Sequence, residues 1–325
     1  MSSSRQVICW VVTSGAAGME NQCLGLAHSL GFKPVIKRVE MCSPWKQLAP
    51  TLRLGLSQAF SETGDSLLPP WPDVMIASGR AGAAACLLAR KNSGYDGRKK
   101  TFTVYIQNPR INPSHFSLVA LPLHDGVVGE NVVSTRGSLH RVTSELLEKE
   151  TEKFRASLSL LPAPRIAVLI GGSNSVYRLT PTEMEPLAQQ LAALAKDTGG
   201  SLMVTTSRRT GEENVKILQK GLQTVPHFLW AGEKPNPYYA FLGLADAVLV
   251  TEDSVNMASE ACSTGKPVHI IGLEGGSKKF NRFHEVLRRD GLTRSFEGKL
   301  ETWSYEPLRD VELVATCVRE MMAID

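Results

Sequence analysis

The residues best placed to do chemistry run from Val248 to Val268. An apolar run ends in the polar turn Thr251-Glu252-Asp253-Ser254; a helix follows, then Gly265-Lys266-Pro267 and a second apolar run. This reads as strand, loop, helix, strand. Open α/β sheets bind ligands in the crevice outside the carboxyl ends of their strands. A helix start aimed into that crevice favours a phosphate, so the segment points to a nucleotide-type ligand. Asp253 or Ser254 can cap the helix, and a cap alone accounts for one of them. Glu260 lies four residues after Asn256 and so shares its helix face. A carboxylate there can accept both hydroxyls of a ribose; the plain alternative is an exposed helix glutamate.

Three further loops follow strand-like runs. In Thr13-Ser14-Gly15-Ala16-Ala17-Gly18-Met19-Glu20-Asn21-Gln22, Gly15 and Gly18 permit close backbone approach, while Glu20, Asn21 and Gln22 bring polar groups into the first helical turn. The spacing is not Gly-x-Gly-x-x-Gly, which argues against a nicotinamide cofactor. Gly171-Gly172 can form a nest of N–H groups for a diphosphate, with Ser173 and Asn174 adding side-chain bonds. Ser207, Arg208 and Arg209 close a third strand, and guanidinium suits bidentate phosphate binding. A simple helix start, a common strand turn and a solvated surface pair are the respective plain alternatives. The loops at 171–174, 207–209 and 251–254 fall in the second half of the chain and are expected to line one crevice. For an acid or base, the candidates are Glu20, His124 and Asp125, the latter two on a loop after an apolar strand. Arg80 and Arg110 also end strands in the first half and are candidates for holding an anionic acceptor or for stabilising the closed cleft.

The elements that must position these loops alternate. Strands are expected at 7–13, 35–39, 72–77, 102–106 and 117–121, with helices at 19–30 and 81–90. A charged helix around 145–158 precedes Leu160-Leu161-Pro162-Ala163-Pro164-Arg165, which reads as a linker. After it the pattern restarts: strands at 166–170, 202–206, 227–230 and 247–251, and helices at 181–196, 212–221 and 238–244. The expectation is an α/β chain of two Rossmann-like domains, residues 1–160 and 161–307, with an interdomain cleft. A final helix in 308–325 is expected to pack back on the first domain.

With 325 residues, 42% apolar and 21% charged, the composition is that of a globular protein. A net charge of +4 does not call for nucleic acid. The six cysteines show no Cys-x-x-Cys pair and no zinc spacing, so no metal is expected. Cys9, Cys86, Cys262 and Cys317 lie in apolar segments and read as buried reduced thiols. The apolar run 7–12 is too short for a secretory core and fits a first strand. No run is long enough to span a bilayer.

At these residues the chain resembles the mitochondrial fission, or elongated-mitochondria, family of plants and many bacteria. The resemblance runs through Gly18-Met19-Glu20-Asn21-Gln22-Cys23-Leu24-Gly25-Leu26, Ala77-Ser78-Gly79-Arg80, Val104-Tyr105-Ile106-Gln107-Asn108-Pro109-Arg110 and Pro122-Leu123-His124-Asp125. It continues through Gly171-Gly172-Ser173, Ser207-Arg208-Arg209-Thr210, Thr251-Glu252-Asp253-Ser254, Glu260-Ala261-Cys262-Ser263-Thr264-Gly265-Lys266-Pro267-Val268 and Trp303-Ser304-Tyr305-Glu306-Pro307-Leu308. It covers nearly the whole chain in order. Gly275-Gly276-Ser277-Lys278-Lys279-Phe280 resembles the bacterial type more closely. Membership implies, in plants, a place on the cytosolic face of mitochondria and recruitment of a dynamin-related GTPase.

A more distant resemblance is to GT-B glycosyltransferases, among them the enzyme that adds N-acetylglucosamine to lipid I. It implies that Gly171-Gly172-Ser173 lies near a donor diphosphate and that Glu260, in the pair Ser259-Glu260, binds the donor ribose. The Gly-Gly-His of those enzymes is missing; Gly18-Met19-Glu20 stands there instead. The expected ligand is a nucleoside diphosphate sugar, UDP- or GDP-linked, with no required cofactor. Three functions follow: a metal-independent glycosyltransferase acting on an unknown acceptor, a non-catalytic adaptor for a dynamin-like GTPase, and a nucleotide-sugar epimerase. The expected location is cytoplasmic, peripheral to a membrane in the adaptor case and on the mitochondrial outer surface in a eukaryote.

Overall fold

The computed structural model describes residues 7–95, 99–233 and 235–323. The chain divides into two compact units, Met1–Arg141 with Arg309–Asp325, and Val142–Leu308.

In the first unit, β1 (Cys9–Thr13) leads to α1 (Ala17–Ser29), and β2 (Val35–Arg38) to the single turn α2 (Trp45–Leu48). Then come β3 (Val74–Ser78), α3 (Gly79–Asn92), β4 (Phe102–Ile106), β5 (Leu118–Pro122) and β6 (Val132–Thr135). The six strands are all parallel, in the order β2-β1-β3-β4-β5-β6. The sequence dictates this. The runs of β1 and β3 are apolar at nearly every position, as strands covered on both faces must be, and every residue of both is buried. The chain leaves β1 for β2 on one side and returns to β3 on the other. The topological switch point therefore lies between the carboxyl ends of β1 and β3.

The second unit opens with α4 (Ser144–Leu158) and β7 (Arg165–Ile170), followed by β8 (Tyr177–Arg178), α5 (Pro181–Thr198), β9 (Ser201–Thr206), α6 (Glu212–Gly221) and β10 (His227–Trp230). It continues through α7 (Tyr238–Leu244), β11 (Ala247–Thr251), α8 (Val255–Cys262), β12 (Val268–Ile271), β13 (Glu274–Gly275), α9 (Lys278–Arg289) and β14 (Thr293–Ser295). Its main sheet is parallel in the order β10-β9-β7-β11-β12-β14. In chain order that is the 3-2-1-4-5-6 arrangement of dinucleotide-binding sheets, with the switch point between β7 and β11. β8 and β13 form a small antiparallel pair beside it.

The final helix, α10 (Asp310–Met322), belongs to the first unit. Its Val311, Val314, Ala315 and Val318 join the core of Leu26, Val74, Ile76 and Leu118. The division departs from the expected one at 160. Helix α4 belongs to the second unit because Phe154 and Leu158 are buried with Ala240, Phe241 and Leu242 of α7. The Pro-rich stretch 160–165 is not an interdomain linker: Pro162 O accepts from Ser201 Oγ at 2.6 Å, and Arg165 N donates to Asp246 Oδ2 at 2.7 Å.

The cysteines are free; Cys9, Cys23, Cys86 and Cys262 are buried, whereas Cys317 is only half-buried. Among the described residues no helix is long and apolar enough to cross a membrane. Nor does any group of three or more His, Cys, Asp or Glu side chains there gather as metal ligands do.

Candidate functional site

The loops after β7, β9 and β11 meet at the switch point of the second unit, and Asp253 is their centre. Its carboxylate accepts from Gly172 N at 3.1 Å and from Thr251 Oγ1 at 2.7 Å, and pairs with Arg209 Nη2 at 2.7 Å. Thr251 Oγ1 accepts in turn from Gly171 N at 2.7 Å. Burial raises the Asp253 carboxyl above its ordinary value, opposed by these three donors. The two glycines are explained by the same contacts. A Cβ on Gly171 would lie 2.3 Å from both carboxylate oxygens of Asp253; one on Gly172, at φ +147°, would lie 2.2 Å from Arg209 O.

The nest expected at Gly171 and Gly172 is therefore occupied by the protein's own side chains. Ser173 Oγ accepts from Leu179 N at 3.0 Å, and Asn174 Oδ1 accepts from Val176 N and Tyr177 N, forming a closed turn. Ser207 Oγ donates to Gly171 O at 2.5 Å, and Thr210 Oγ1 to the same oxygen at 2.6 Å. Helix α5 starts only at Pro181 and is sealed by its own Thr180–Glu183 capping box, so no free helix start follows the glycines. Ser254 is the cap of α8, accepting from Met257 N. Glu252 accepts from Tyr177 Oη at 2.9 Å and from Leu273 N at 3.1 Å, tying β8 and the loop after β12 to the site. Arg208 is exposed, and the Arg209 side chain keeps 40% exposure beside the fully buried Asp253.

Glu260 is not the exposed helix residue of the plain alternative. It is buried on α8 and accepts a short hydrogen bond from Tyr238 Oη of α7. Burial pushes its carboxyl up to about 7, with the tyrosine hydroxyl opposing. Sequence reasoning missed Tyr238; the available signal was that a helix carboxylate on a buried face needs a donor. Lys266 Nζ donates to Leu242 O and Gly243 O, both at 2.6 Å, and so caps the end of α7.

In the first unit the loop after β1 carries Gly15 at φ +85°, whose N–H donates to Thr13 Oγ1 at 3.1 Å. Gly18 and Asn21 are half-buried on α1, and Gln22 is buried there. Glu20 accepts from Arg38 Nε and Nη2, both at 2.8 Å, and this pairing lowers its carboxyl pKa. Such a carboxylate is a weaker base than an unpaired one. His124 is buried and Asp125 half-buried in a single turn after β5. Arg80 donates to Lys46 O at 2.8 Å and Gln47 O at 3.0 Å, closing α2 rather than facing an anion. The loop after β4 is strained: Gln107 and Arg110 both have positive φ, +91° and +56°.

The family described as "Mitochondrial fission ELM1" matches residues 17–322. The chain belongs to that family. The Arabidopsis thaliana protein named Mitochondrial fission protein ELM1 is 32% identical over 96% of this chain and 90% of that one. An uncharacterised protein of Rickettsia prowazekii is 23% identical over 97% of this chain and 99% of its own. Among solved structures, the UDP-GlcNAc 2-epimerase of Methanocaldococcus jannaschii is similar with a TM-score of 0.61 at 11% identity, covering 97% of this chain and 99% of that one. Os79 from O. sativa in complex with UDP gives a TM-score of 0.53 at 12% identity, covering 97% and 91%. The family member thus has the α/β fold of two Rossmann-like domains shared by GT-B glycosyltransferases and epimerases.

Proposed function

We propose that the second unit binds a nucleoside diphosphate sugar, UDP- or GDP-linked. The observation that carries this reading is Glu260, a carboxylate kept buried on α8, the helix that follows the β11 loop, with one hydrogen-bond donor among the described residues. A ribose offers two more hydroxyl donors to it. Arg208 and the exposed edge of Arg209 recognise the phosphates, since Asp253 fills the glycine loop. The UDP-bound Os79 supports a nucleotide reading by likeness of fold. Sugar transfer to an acceptor needs a base. Glu20, locked to Arg38, is a poor one, which leaves Asp125 and His124 as the candidates.

A second reading is favoured by the name of the Arabidopsis relative and by the locked Glu20: a docking platform in organelle fission, recruiting a dynamin-like GTPase to a membrane without chemistry of its own. The likeness to a UDP-GlcNAc 2-epimerase supports a third, an epimerase, which a product assay lacking any acceptor separates from a transferase.

Calorimetric titration with UDP, GDP, CDP and their sugar conjugates tests the first reading. Saturable binding by one nucleotide, lost in Arg208→Ala and weakened in Glu260→Gln, is expected. A folded protein that binds none of them overturns it in favour of the platform.

A further inference from the structure

We propose that Asp253 is a specificity-determining residue: a built-in anion that keeps phosphate off the glycine loop and passes its recognition to Arg208 and the outer edge of Arg209. This rests on the nucleotide-binding reading but departs from a glycine-nest diphosphate site.

Both occupancy and charge bar a phosphate from the glycine loop. A phosphate at a strand-end nest takes backbone N–H groups, a hydroxyl and a guanidinium. Here the N–H of Gly172, the hydroxyl of Thr251 and Nη2 of Arg209 all converge on one carboxylate, at 3.1, 2.7 and 2.7 Å. The N–H of Gly171 is taken one step away, by Thr251 Oγ1. No room remains on the inner side, because Asp253 packs where any Gly171 side chain would stand. A second anion at those donors would share them with a fully buried like charge, an arrangement that is strongly unfavourable. Among the described residues the guanidinium of Arg209 pairs through Nη2, its inner edge, and Arg208 is exposed beside it. A ligand's phosphates meet these two from outside.

The test uses inorganic pyrophosphate as a probe independent of any base or sugar, followed by site-resolved amide NMR of the full chain. The protein is compared with Asp253→Ser, which vacates the loop, and with Asp253→Asn, which removes the charge while keeping the shape and the Thr251 bond. In the natural chain, pyrophosphate is expected to shift the amides of Arg208 and Arg209 while leaving Gly171 and Gly172 unmoved. In Asp253→Ser it binds about tenfold tighter, the regained charge-assisted bonds being worth at least that factor, and the Gly171 and Gly172 amides now move. Asp253→Asn gains less. Glycine amides that already respond in the natural chain overturn the proposal. So does an Asp253→Ser variant that is folded by its amide spectrum yet binds no tighter. A parallel UDP titration separates the two readings: pyrophosphate behaviour as expected with no UDP binding by any form leaves the resident anion standing and removes the nucleotide site.

Discussion

The two sheets end differently at their switch points. In the second unit the polar groups that gather between β7 and β11 are satisfied by one another: Asp253 by Gly172, Thr251 and Arg209, Ser254 by the start of α8, Glu252 by Tyr177 and Leu273. In the first unit both flanking helices begin without a side-chain cap. α1 starts after Ala16, and α3 starts after Ser78, whose buried Oγ has no hydrogen-bond partner among the described residues. A polar loop at a strand end therefore signals either a ligand or a self-satisfied corner, and the residue types alone do not separate the two. The bonds do.

The largest test of that contrast is a methyl group added on each side. Gly171→Ala drives a Cβ to 2.3 Å from a carboxylate fixed by three partners, whereas Gly15→Ala meets only the flexible Arg38 stem at 3.5 Å. The first is expected to cost about 3 kcal/mol or more, the upper range for overpacking a buried site. The second should cost roughly 1 kcal/mol, from its positive φ alone. Denaturant unfolding measures both. Combining Gly171→Ala with Asp253→Ser should recover part of the loss; a double variant no more stable than Gly171→Ala would detach the glycine from the aspartate.

Two buried titrating groups, one in each unit, have opposite pH dependence. Glu260 in the second unit is raised to about 7 by burial, and His140 in the first, buried with neither ring nitrogen bonded among the described residues, is lowered to about 4. A carboxyl raised in the folded state binds more protons there, so stability falls as pH rises from 4.5 to about 7. A histidine lowered in the folded state binds fewer protons there, so stability falls as pH drops from 6.5 to about 4. Each shift corresponds to about 3 kcal/mol across its window. Calorimetry across pH 4 to 8 should find Glu260→Gln more stable than the natural chain only at the alkaline end, and His140→Leu only at the acid end. Variants that track the natural chain throughout would show that these groups titrate alike folded and unfolded.

Much of the fold was legible because its strands are apolar and its helices periodic. Val248–Thr251, Gly265 and Val268 announced strand, turn and strand with no ambiguity of period. Helix α9 was not assigned from sequence: in Lys278–Arg289 charges outnumber apolar residues, and its core face is only Phe283, Val286 and Leu287 with His284. The paired dipeptides of β8 and β13 are too short to carry a pattern. The unit boundary was misplaced because Pro162 and Pro164 look like a linker, while the contact that decides it, Phe154 and Leu158 against α7, joins residues far apart in sequence. At the site, the residue types at 171–174, 207–209 and 251–260 were readable. That Asp253 would fill the glycine loop was not, since nothing local distinguishes a carboxylate facing a ligand from one facing Gly172.

A smaller effect is expected at the strained loop of the first unit. Gln107 at φ +91° costs roughly 1–2 kcal/mol relative to a glycine. Gln107→Gly should raise the unfolding midpoint of the first unit alone, offset in part by the greater freedom of the unfolded chain. A drop in stability would mean that the glutamine side chain contributes more than its backbone strain removes.

The smallest effect separates a locked acid from an available base. Glu20 is held down first by its hydrogen bonds to Arg38 and then by the charges of Arg38 and Arg141, against a desolvation that raises it. Arg38→Ala removes the leading cause, so the Glu20 carboxyl should return toward its ordinary value, read by carbon NMR titration of the side-chain carboxyl. Because both partners reach solvent, the change in stability should be slight. Any sugar-transfer activity that rises in Arg38→Ala would make Glu20 a base restrained by its partner. Activity indifferent to both Arg38→Ala and Glu20→Gln would leave Asp125 and His124 as the groups to pursue, and would make the first unit's glycine loop a surface for something other than proton transfer.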